Sequence, residues 1–223
     1  MSKLLANFIS MVFHPLLIVT YMLILLMMVN PYLFGISHLG EPIGRIFILR
    51  VLLTTFFLPL FATSMLKFLG MVESFALKTR EDHYIPYVAA GIFYLWVVMN
   101  FIYNPNIPIV FTSFLLGATI ALFIAFFINL FSMISVHTVG MGALLGMVVI
   151  TMLFFSYGTF TIPFFWGQTI QISMNVLLIG VILFCGMVGS ARIWLIQYDP
   201  IDIYGGYLVG FLSQFIAMRF MFF

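Results

Sequence analysis

The chain has 223 residues, of which 65% are apolar and 6% charged, with a net charge of +2. A soluble domain carries about 25% charged residues, so a water-exposed globule is excluded; with no basic run, a nucleic-acid surface is excluded too. From His83 to Ala191, 109 consecutive residues contain no Asp, Glu, Lys or Arg. An ionised side chain at the bilayer centre costs about 2.5–3.5 kcal/mol, so a run of this length implies a polytopic integral membrane protein. The lone Cys185 forms no intrachain disulfide and reads as a small buried apolar side chain.

A spanning helix needs about 20 mostly apolar residues. The first such segment, Leu4–Val29, is too long for a signal-peptide core and closes at Asn30-Pro31. Within it His14 precedes Pro15, which breaks the helical ladder. A neutral imidazole bonded to a kink carbonyl is the simplest account of His14. A polar connector with His38, Glu41 and Arg45 leads to a second segment, Ile46–Leu69. Met71–Ile85 is the most charged part of the chain. A third segment opens at Pro86 and ends near Tyr103, before the turn Asn104-Pro105-Asn106-Ile107-Pro108. The fourth is Ile109–Phe131 and the fifth Thr138–Ser156, with Gly142 and Gly146 spaced for close helix contact. Tyr157–Gln168 reads as an interfacial connector. Thr169–Gly189 and Ile203–Phe222 complete the set. The expected fold is all-α, one membrane domain over 1–223, built as a bundle of six to seven transmembrane helices.

Spans alternate sides, so the connectors after the second, fourth and sixth share one face. They contain Lys78–Asp82, Ser135–His137 and Arg192–Asp202. Lys78, Arg80 and Arg192 offer cationic donors, and Arg suits phosphate. Ser135 offers a hydroxyl at a helix start that favours anions. His137 can move a proton near neutral pH. A phosphate-binding site between helices is the chemistry these types share.

Ser190-Ala-Arg192-Ile-Trp-Leu-Ile-Gln-Tyr198-Asp-Pro-Ile-Asp202 resembles the third motif, SRxxxxxHxxxD, of the type 2 phosphatidic acid phosphatase superfamily. Ile134-Ser135-Val136-His137 resembles its second motif, PSGH, and Lys78 through Pro86 its first, KxxxxxxRP. The resemblance covers about 78–210. It implies a degenerate bacterial member in the inner (cytoplasmic) membrane, acting on lipid phosphates of polyprenyl or phosphatidyl type without metal or other cofactor. Lys78, Arg192 and Ser135 would bind phosphate, with Arg80 in place of the first-motif Arg. His137 would protonate the leaving group and Asp202 would orient the nucleophile. Tyr198 stands where the family has its attacking His, so the resemblance implies lipid-phosphate binding more directly than hydrolysis.

Each residue also has an ordinary explanation. Asp199-Pro200-Ile201-Asp202 has the form of a helix N-cap. Arg192 and Tyr198 suit an interface. Ser135 suits a helix cap, His137 a bond to a carbonyl, and Lys78–Asp82 a solvated loop. A non-catalytic membrane subunit or lipid- or partner-binding protein is the alternative function. Homo-oligomers and membrane protein partners stay open. A small transporter rests on His14 and the polytopic form alone.

Overall fold

The computed structural model describes residues 3–70, 84–163, 169–196 and 198–223. Among these the chain forms eight helices: α1 Lys3–Val12, α2 Pro15–Val29, α3 Pro42–Phe68, α4 Tyr84–Ile102, α5 Ile109–Phe131, α6 Val136–Phe155, α7 Met174–Ile196 and α8 Pro200–Phe222. Six of them, α3 to α8, are long and apolar enough to cross a membrane, and α1 with α2 makes up to a seventh span, bent by 56°. This is an integral membrane helical bundle, as the hydropathy implies.

Prolines set several boundaries. Pro15, Pro42 and Pro200 each sit in the first turn of a helix, and Pro31 opens a short 3-10 turn over Pro31–Phe34, where a missing N–H costs nothing. Pro59, inside α3, cannot donate to the Thr55 carbonyl one turn back. Here the helix widens to a π turn over Leu53–Phe57. The hydroxyls of Thr54 and Thr55 bond back to the Arg50 and Val51 carbonyls at 2.9 Å each.

One segment departs from expectation. Thr159–Pro163 and Thr169–Ser173 pair as an antiparallel hairpin, β1 and β2, with Phe160 opposite Ile172. The sixth apolar segment therefore turns helical at Met174, five residues after its apolar character begins. Phe160 is buried against Val29 and Met174, so the hairpin covers the ends of α2 and α7.

The centre of the bundle is α6, the most buried span, packed most extensively on α8. Glycine makes that approach possible. A Cβ at Gly146 would lie 2.9 Å from the Phe211 carbonyl oxygen, and one at Gly142 would collide with the Tyr207 backbone. In lipid, where apolar surface gains little by leaving the solvent, such backbone contact is the main source of helix association.

Candidate functional site

Helix α1 ends where His14 turns to an extended conformation (φ −63°, ψ 135°) ahead of Pro15. The break strips carbonyls in the last turn of α1 of their helical partners, and two distant side chains take them. Tyr21 Oη donates to the Val12 carbonyl at 2.7 Å. His137, at the second position of α6, places Nε2 at 3.2 Å from the Ser10 carbonyl oxygen. A carbonyl only accepts, so Nε2 of His137 carries the proton of this bond. His14 has the opposite arrangement: the Leu16 N–H donates to its Nδ1 at 3.4 Å. A neutral His14 therefore carries its proton on Nε2. The two imidazoles meet edge to face, with centroids 5.9 Å apart.

Arg192 comes from α7, four residues before its C-terminal residue Ile196. It is 8% exposed, and its Nε has no hydrogen-bond partner. Its Cζ lies 5.6 Å from the centroid of the Tyr198 ring. Among the described residues no carboxylate pairs with it. A cation–π contact contributes about 0.5–2 kcal/mol, whereas burying a charge costs several kcal/mol. The guanidinium thus keeps an unmet demand for an anion. Tyr198 is buried as well. Burial pushes its phenol above the usual tyrosine range, and Arg192 opposes the shift more weakly.

These side chains line one cavity of about 1120 Å³. Ser10 and His14 come from the first span, Tyr87 from the start of α4, His137 from α6, Arg192 from the end of α7 and Tyr198 from the connector beyond it. The Ser10 hydroxyl is buried without a partner. Small and apolar residues such as Ile18, Ala118 and Leu122 supply much of the remaining wall. The cavity is large enough for a drug-sized ligand by the usual range of about 300–1,000 Å³.

The motif residues divide into three groups. His137, Arg192 and Tyr198 face the same cavity. Ser135 and Asp202 do not line it. Ser135 is the fully buried N-cap of α6, its Oγ without a partner. Asp202 accepts the Asp199 N–H at 3.3 Å as part of a capping box at the start of α8, so helix capping accounts for both carboxylates. Lys78 and Arg80 lie outside the described residues. His14 and Ser10 belong to no motif. Their signal in the sequence was the spacing of Lys3, Asn7, Ser10 and His14, which puts four polar groups on one face of an otherwise apolar helix. All four line the cavity.

Compared with family models, curated proteins and solved structures, the chain matches none. The fold and the site together define an integral membrane helical bundle with a polar-edged, half-open cavity.

Proposed function

We propose that this protein binds a lipid phosphate, of polyprenyl or phosphatidyl type, with its phosphate in the cavity against Arg192. The observation that carries the reading is the buried guanidinium, with a bare Nε and no carboxylate paired with it among the described residues. A phosphate oxygen meets that demand with a charge-assisted hydrogen bond. The apolar walls suit the part of the lipid next to the head group. The motif resemblance favours the same ligand class, and makes the chain a degenerate relative of the lipid phosphatases.

Binding without turnover is the form of the function that the site favours. Tyr198 occupies the nucleophile position, and a phenol pushed up by burial stays protonated and weakly nucleophilic at neutral pH. His137 commits its Nε2–H to Ser10 rather than to a leaving group.

The test uses full-length protein in detergent micelles. Fluorescent phosphatidate and polyprenyl phosphate should bind, release no phosphate, and lose about tenfold to a hundredfold in affinity in Arg192→Gln. That range follows from about 1.5–3 kcal/mol for a hydrogen bond to a charged group. Wild-type turnover would overturn the non-catalytic form. Equal binding by Arg192→Gln would overturn the site.

A further inference from the structure

We propose that His14 is a second ligand for the anion in this cavity, donating its Nε2–H to a phosphate oxygen that Arg192 also holds. This rests on the reading of the cavity as a lipid-phosphate site.

The hydrogen bond from the Leu16 N–H occupies Nδ1 as an acceptor and leaves Nε2 as the N–H of the neutral ring. That N–H has no partner among the described residues. The ring is held from two sides, by Phe56 at 6.1 Å and 80° and by His137 at 5.9 Å and 77°. Its orientation is therefore set before any ligand arrives, which lowers the entropic cost of binding. The Arg192 side chain lines the same cavity as His14. A cation and a neutral N–H donor then line one space, and no carboxylate is among the described residues that line it. The neighbouring groups on α1 fit the same use: Ser10 Oγ is buried without a partner, and Asn7 and Lys3 extend the polar edge along the helix. An anion fits this set better than a cation, because Arg192 would repel the latter.

His14→Ser separates the ligand role from the structural one. Serine caps a helix well and keeps an acceptor for the Leu16 N–H, but it is too short to reach a ligand in place of Nε2. Phosphatidate and inorganic phosphate are titrated in parallel into micellar wild type, His14→Ser and Arg192→Gln. The expected result is a loss of about tenfold for phosphatidate in His14→Ser, which is about 1.4 kcal/mol, with the melting temperature held. Equal inorganic-phosphate binding would leave His14 as an anion ligand and remove the need for a lipid. If His14→Ser binds as wild type while Arg192→Gln does not, the His14 assignment falls alone. If wild type binds neither probe, the lipid-phosphate reading falls and takes His14 with it. Should His14→Ser fail to fold, wild type labelled with 15N-histidine decides: the His14 Nε2 resonance should move on adding phosphatidate, and a stationary resonance overturns the proposal.

Discussion

His137 holds the backbone of the first span: its Nε2 lies 3.2 Å from the carbonyl oxygen of Ser10, a contact between residues 127 apart in sequence. The carbonyl is available because the helix breaks at His14-Pro15, and the imidazole is available because α6 starts one residue before His137. One bond thus joins a local defect in α1 to the most buried helix of the bundle, at the edge of the cavity.

Removing that donor should destabilise the protein. His137→Ala leaves the Ser10 carbonyl unpaired, and an orphaned buried acceptor costs about 1–3 kcal/mol. His137→Gln keeps an N–H at a similar reach and should lose less than half as much. Thermal melts in detergent compare them. Equal losses would show that the ring's packing against His14, not the hydrogen bond, carries the effect.

Tyr198 should titrate late. Burial raises its phenol pKa, whereas the unfolded value is about 10. The unfolded chain therefore releases this proton first as pH rises. The stabilisation is complete below about pH 10 and is lost as pH climbs from there through the raised folded value. The phenolate absorbance of wild type minus Tyr198→Phe should appear only above pH 10. A wave below pH 10 would contradict the burial.

Tyr198→His tests whether the cavity still fits a reacting phosphate. A neutral imidazole attacks without first losing a proton, unlike a phenol. Phosphate release from phosphatidate, absent in wild type, should become measurable, and disappear when Arg192→Gln is added. No release from a folded Tyr198→His that still binds lipid would mean that the remaining groups cannot support the reaction.

The helix seam gives a stability prediction independent of function. At Gly146 an added Cβ would meet the Phe211 carbonyl oxygen at 2.9 Å, so Gly146→Ala should cost about 1–3 kcal/mol through overpacking. At Gly180 nothing lies within 4 Å of an added Cβ. Gly180→Ala should therefore be neutral or gain up to about 1 kcal/mol in helix propensity. The comparison is read as a difference in melting temperature. Similar shifts in both variants would argue against a close α6–α8 contact.

Much of the fold was legible residue by residue. Ile109–Phe131 follows Pro108 and is helical over that range. Thr169–Ser173 is strand where its place in a long apolar segment predicts helix: Thr-Ile-Gln-Ile-Ser alternates polar and apolar with the period of a strand, but five residues of alternation are masked by the long apolar run that follows them. Pairing with Thr159–Pro163, ten residues earlier, decided it. At the site, Arg192 stood out as a charge ending a long apolar helix. His14 carried a weaker signal, because a His before Pro inside an apolar segment is explained by the kink alone.

The sequence by itself determined that the protein has the segments to cross a membrane, and about how many times. Backbone hydrogen bonding in lipid must be satisfied within each segment, so composition and proline placement suffice for that much. Only the tertiary structure decided which polar groups meet. Convergence of His14, His137, Arg192 and Tyr198 depends on the rotation and tilt of separate helices. Those are set by contacts such as Gly142 against Tyr207 and by the 56° bend between α1 and α2. Such contacts are long-range and weak one by one, and no local pattern along the chain encodes their sum.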